Sequence, residues 1–194
     1  MNDYPARARH IATLLIGLIL FGLPAMSSAG APTPSWECWG PGLPDPCRND
    51  LRDITIVPGT NPAQAVAVGD GGTILHWNGA DWRKIASGVT ESLYAVAMSS
   101  PTQGWAVGKN GTILTWNGAT WAATTWKTGD LLRAVALVPG AAPVQAWAAG
   151  DNKGVGEFIL WNGKEWQDKF NEEYELFGGS IFCIAMLDAT SGWA

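Results

Sequence analysis

Gly104-Trp105-Ala106-Val107-Gly108-Lys109-Asn110-Gly111-Thr112-Ile113-Leu114-Thr115-Trp116-Asn117-Gly118-Ala119-Thr120-Trp121 holds two short runs of apolar, β-branched and aromatic residues divided by turn residues. Val, Ile, Thr and Trp favour the pleated sheet, whereas Asn and Gly tolerate the positive φ that tight turns require. The stretch therefore reads as strand, turn, strand, turn and the start of another strand. Its closing motif, Trp-Asn-Gly-x-x-Trp, occurs three times: Trp77 to Trp82, Trp116 to Trp121 and Trp161 to Trp166.

Working outward, segments beginning at Leu51, Leu93, Leu132 and Ile181 share one pattern, Leu-x-x-Val-Ala in its most regular form. An Ala-Val-Gly or Ala-Ala-Gly run follows in the first three, at Gly69, Gly108 and Gly150, and then the Trp-Asn-Gly motif. The starts are 42, 39 and 49 residues apart. Repeats in the forties belong to four-stranded propeller blades or to two-helix units. Gly and Pro interrupt the apolar runs too often for helices, so the fold class is all-β, a propeller of four-stranded antiparallel blades. Asn-Gly is expected to supply positive φ at both central residues of a tight hairpin between the third and fourth strands.

The expected organisation is a signal segment at 1–29, an N-terminal segment at 30–50, and blades at 51–92, 93–131, 132–180 and a partial 181–194. Arg7 and Arg9 precede the apolar run Ile11 to Leu23, and small residues end at Ala29. That layout is a cleavable export signal, and the run falls short of the roughly 20 residues that span a bilayer. A signal anchor is the alternative; with cleavage, no stable membrane span is expected. The location is then periplasmic, extracellular or at the cell surface. The segment 30–50 is expected to carry an outer strand around Ser35 to Trp39 and a disulfide between Cys38 and Cys47, which flank a Pro- and Gly-rich loop. Cys183 stands where Ala95 and Ala134 stand in other repeats, so a buried, unreactive thiol is expected. The last residues, Gly192-Trp193-Ala194, match the second strand of a fourth repeat. An open arc of about three and a half blades, part of a longer polypeptide, is the expectation.

The stretch Gly104 to Trp121 resembles the blade signature of photosystem II assembly factor-like propellers and, more loosely, the Asp-box repeats of bacterial sialidases. Thr115 to Trp121 is one residue shorter than an Asp box and has Asn117 where the box has Asp. The resemblance implies a propeller that engages partner proteins through one polar face.

Twelve tryptophans invite a ligand reading. Most recur at repeat positions, and a side chain repeated in every unit serves first the contact each unit makes with its neighbour. Burying one indole is worth about 4–6 kcal/mol gross at ~25 cal/mol per Å2. Trp39 and Trp126 fit no repeat position and are the expected exposed contacts. Function is sought where the repeats differ. The residue after each starting position varies as Arg52, Tyr94, Arg133 and Phe182. Two Arg and a Tyr near the channel mouth could hold a carboxylate or phosphate by forked hydrogen bonds, the plainer reading being solvated Arg and packed Tyr.

Catalysis finds poor material. After residue 29 the only His is His76, which excludes His-based triads and multi-His metal sites. The net charge of −5 excludes a basic nucleic-acid surface. The reading is a non-catalytic scaffold with a protein partner, no cofactor and no metal. The alternatives are a sialidase-like or carbohydrate-binding propeller taking glycans, its catalytic residues in further blades, and a cell-surface structural or adhesive module.

Overall fold

Four-stranded antiparallel sheets recur along the chain in the computed structural model, which describes residues 49–126, 129–169 and 179–194. Blade 1 contains β1 (Leu51–Val57), β2 (Gln64–Gly69), β3 (Thr73–Trp77) and β4 (Trp82–Ile85). Blade 2 contains β5 (Leu93–Ser100), β6 (Gln103–Gly108), β7 (Thr112–Trp116) and β8 (Trp121–Thr125). Blade 3 contains β9 (Leu131–Leu137), β10 (Ala146–Asn152), β11 (Val155–Trp161) and β12 (Trp166–Asp168). A fourth sheet has two strands, β13 (Ala185–Met186) and β14 (Gly192–Trp193). Within each full blade every strand pairs with the next in sequence. The first strands β1, β5 and β9 pack against one another in order, and β13 packs on β9. This is the propeller arrangement of blades, three full and one represented by two strands.

Two apolar layers glue the blades. Between blades 1 and 2, Val66, Val68 and Ile74 meet Leu93, Val96, Met98, Leu114 and Trp121. Between blades 2 and 3, Trp105, Val107 and Ile113 meet Leu132, Ala146, Ala148 and Ile159. Side chains alternate across a strand, so β6 and β7 supply both layers, Ala106 and Leu114 facing blade 1 while Trp105, Val107 and Ile113 face blade 3. A blade buried on both faces therefore reads as nearly continuous apolar sequence.

The repeated tryptophans are packing groups. In each Trp-Asn-Gly-x-x-Trp motif the two indoles sit opposite each other in register, at 5.8 Å between centroids for Trp77 and Trp82 and 5.3 Å for Trp116 and Trp121. Trp161 and Trp166 pair at 5.9 Å, and both contact Trp105 of the preceding blade. Such tilted pairs add about 0.5–1.5 kcal/mol beyond the area they bury.

The turns differ from expectation. Trp77 pairs with Trp82, so the Asn-Gly connection is a four-residue loop rather than a two-residue hairpin. Only its Gly has positive φ (99° at Gly79, 94° at Gly118 and 99° at Gly163). The Asn acts through its side chain instead: Asn117 Oδ1 accepts hydrogen bonds from the backbone N–H groups of Ala119 and Thr120, at 2.9 and 2.8 Å, and Asn78 and Asn162 do the same in their loops. Paired positive φ occurs between the second and third strands, at Asn110 (55°) and Gly111 (66°). The Gly ending the second strand is needed for a different reason. A Cβ at Gly69, Gly108 or Gly150 would run into the carbonyl oxygen of Asp50, Ser92 or Leu131, where the chain enters the same blade.

Cys183 is exposed, not buried. Ala95 and Ala134 at the same repeat position are buried, Ala95 in the layer against blade 3, whereas Cys183 has no such cover among the described residues. Among the described residues no helix is long and apolar enough to cross a membrane.

Candidate functional site

The variable side chains after each repeat start converge. Each innermost strand contributes one: Arg52 from β1, Tyr94 from β5, Arg133 from β9, and Phe182 ahead of β13. The Arg52 guanidinium carbon lies 6.0 Å from the centre of the Tyr94 ring. Arg133 lies 5.9 Å from the same ring and 4.9 Å from that of Phe182. The four form a ladder in which cation and ring alternate from blade to blade, within the range where the ring quadrupole attracts a cation.

Carboxylates hold the guanidinium edges. Asp70 and Asp151 directly follow Gly69 and Gly150, the glycines that bring the second strand close to the start of the first. Arg52 donates from Nε and Nη2 to the two oxygens of Asp70, at 3.0 and 2.8 Å. Arg133 donates from Nε to Asp151 Oδ2 at 2.9 Å. In blade 2 the same two positions hold Tyr94 and Lys109, so an ion-paired arginine occurs in alternate blades. The hydrogen bond from Arg52 holds the Asp70 carboxyl below its ordinary value and in turn raises the guanidinium above its own. Burial works to raise the Asp151 carboxyl; hydrogen bonds from Arg133, Ser180 and the Gly154 N–H outweigh it, and the group sits low.

Each arginine keeps donors for a ligand. The guanidinium has five N–H groups. Arg133 commits only its Nε side to Asp151, and its two Nη groups make no further hydrogen bond among the described residues. Arg52, gripped at both Asp70 oxygens, has Nη1 remaining. With Phe182 exposed at the end of the ladder, the site offers stacked cations, one aromatic face and forked donors.

The structure thus brings Arg52, Tyr94 and Arg133 into one group, with neither arginine simply solvated. Trp126 is not an exposed contact. It is half-buried, packs into the layer between blades 2 and 3, and donates its indole N–H to Glu157 Oε1 at 2.9 Å. The residue extends just past β8 toward the neighbouring blade, and repeat matching of the motif alone gave no sign of it. Trp36, Trp39, Cys38 and Cys47 lie outside the described residues, as does the signal segment. Sequence reasoning missed Asp70 and Asp151 as arginine partners; their shared place after the repeat Gly was the available signal. His76 is half-buried beside Gln64, with its Nε2 3.2 Å from Oε1, and burial lowers its pKa. Among the described residues no three His, Cys, Asp or Glu side chains cluster as a metal site would need.

Two solved structures are similar to part of the chain. YCF48 from Cyanidioschyzon merolae matches at 21% identity and a TM-score of 0.47, over 62% of this chain and 37% of that one. YCF48 bound to D1 peptide matches at 14% identity and a TM-score of 0.44, over 64% of this chain and 40% of that one. This chain spans less than half the length of either. No family model and no curated protein matches the chain.

Proposed function

We propose that this propeller is a non-catalytic binding scaffold whose arginine–aromatic ladder takes a carboxylate-bearing segment of a partner protein. One observation carries the reading. Arg52, Tyr94, Arg133 and Phe182 occupy the position that varies among otherwise matching repeats, yet they assemble into a single ladder with unspent guanidinium donors. Repeats keep what folding needs and vary where a surface is used. Asp70 and Asp151 fix the arginine edges, so a ligand meets pre-oriented donors and little side-chain freedom is lost on binding. On a chain of net charge −5, and with each guanidinium already paired to an aspartate, the site acts through its remaining N–H donors rather than through a general attraction for anions.

The proposal rests on the ladder and not on the likeness in fold. It places the protein outside the cytoplasm, on the strength of Arg7, Arg9, the apolar run and the small residues ending at Ala29. The test is a pull-down from source-cell extract with the full chain and with an Arg52→Ala/Arg133→Ala double variant. A protein retained by the first and lost at least about tenfold by the second, a change worth ~1.4 kcal/mol, supports the proposal. Equal retention by both, or recovery of glycans alone, overturns it.

A further inference from the structure

The borders between blades 1 and 2 and between blades 2 and 3 are built from matching repeat positions but finished differently. At the second border Trp126, which follows β8, crosses to blade 3 and donates to Glu157. Trp126 lies five residues after Trp121, and Ser87 lies five residues after Trp82, so Ser87 holds the equivalent place in blade 1. Glu157 pairs with Gly150 in blade 3, two residues into β11; by repeat register Thr112, the first residue of β7, holds that place in blade 2. Where the second border has an indole bonded to a carboxylate, the first has two small hydroxyl side chains.

Among the described residues nothing fills the space that the missing ring would take. A groove of about 680 Å3 lies between blades 1 and 2, lined by Gly72, Ser87, Val89, Asn110, Thr112 and Thr125 among others. Ser87 and Thr112 are both buried at its floor. Ser87 turns its hydroxyl to the carbonyl of Val89 at 3.2 Å, and Thr112 stands at the repeat position that Glu157 holds in the next border. A hydroxyl oxygen can accept an indole N–H as a carboxylate does.

We infer that this groove is a receptor for the indole side chain of a tryptophan supplied by a partner protein. The chain itself shows how the ring is seated. Trp126 enters between two blades with its face on the apolar layer and its N–H on the Glu157 carboxylate of the facing third strand. In the first border the same seat has walls and an acceptor but no ring from blade 1. An indole combines a large apolar face with one donor, which suits a half-apolar groove with hydroxyl oxygens at its floor. The groove lies beside Gly71 and Gly72, directly after Asp70, so it opens on the end of the blades that carries the ladder. It is nevertheless a separate seat, and its ligand does not depend on the ladder's.

The test uses the isotopically labelled full chain titrated with N-acetyl-tryptophanamide, with N-acetyl-alaninamide as control, followed by amide resonances. Saturable shifts at Gly72, Ser87 and Thr112, with a Kd of about 1 mM as suits a fragment, are expected from the tryptophan compound alone. Ser87→Trp places the ring in cis, so it should abolish those shifts and raise Tm by about 2–4 °C. Arg133→Ala, which damages the ladder, should leave the indole titration unchanged, so failure of one site is told apart from failure of the other. Absence of saturable shifts at the groove overturns the inference. So do shifts that persist in Ser87→Trp, or a Ser87→Trp chain that melts below the parent.

Discussion

Blades 1 and 2 carry the same apolar pattern on the same face of the sheet, and only one of them hides it. Leu93, Val96 and Met98 of blade 2 are 0%, 4% and 3% exposed, because blade 1 lies against them. Their repeat equivalents in blade 1, Leu51, Ile54 and Ile56, are 50%, 58% and 62% exposed. Residue type is thus set by the repeat, whereas burial is set by what stands beside it. An unexceptional core position in one blade becomes an open apolar strip in another, the kind of surface that marks an interaction site.

The largest expected effect tests that contrast directly. Met98→Ala removes a buried side chain between two sheets and should cost about 2–5 kcal/mol. Ile56→Ala, at the same repeat position, should change stability by less than about 0.5 kcal/mol. Urea denaturation of both variants measures the difference. A cost for Ile56→Ala as large as that for Met98→Ala would break the comparison, because it would mean that the strip is covered in solution.

A smaller effect concerns the polar stitch at the closed border. Asp53 of β1 accepts a hydrogen bond from the Val96 N–H of β5 at 2.8 Å, using Oδ2, while Oδ1 accepts from its neighbour Ile54. In blades 2 and 3 this position is Ala95 and Ala134, so the stitch is peculiar to the first border. Asp53→Ala should cost about 1–2 kcal/mol, the penalty for leaving a part-buried N–H without its acceptor. Amide exchange at Val96 should accelerate with it. Unchanged exchange there would mean that another acceptor takes over.

What the sequence made legible follows from the same division. The blade architecture was readable because three Trp-Asn-Gly motifs and the Ala-Val-Gly runs report contacts that each unit repeats. The conformation of the Asn-Gly loop was not, since the dipeptide fits several turns and the pairing of Trp77 with Trp82 sets the loop length. Position along the repeat singled out Arg52, Tyr94 and Arg133 but could not show that they stack, because the distance between first strands depends on how blades pack. The burial of Trp126 is hidden from the sequence for a related reason. Its partner Glu157 is 31 residues away on another blade, and no local pattern connects them.

The smallest effect separates the two ion pairs of the ladder and again sets an open blade against an enclosed one. The side chains of Arg52 and Asp70 are 43% and 30% exposed, whereas those of Arg133 and Asp151 are 25% and 7% exposed. Both aspartates have pKa values below the ordinary range when folded. A carboxyl lowered by folding stabilises the native state at pH above its unfolded value, near 3.9, and that contribution is lost as the pH falls through the lower folded value. Solvent screens the exposed pair, so little of the acid sensitivity should come from Asp70. Asp151 is enclosed, and its partners include the Gly154 N–H as well as Arg133. Thermal melting between about pH 6 and pH 2.5 should therefore show a steeper decline for the parent than for Asp151→Asn, with Asp70→Asn following the parent closely. The difference in slope should be confined to the acid end, where the melting gap between the parent and Asp151→Asn closes, since both carboxylates are fully charged at neutral pH. If Asp70→Asn flattened the curve as much as Asp151→Asn, the two pairs would be equally enclosed in solution, and the open side of blade 1 would have to be shielded by something bound there.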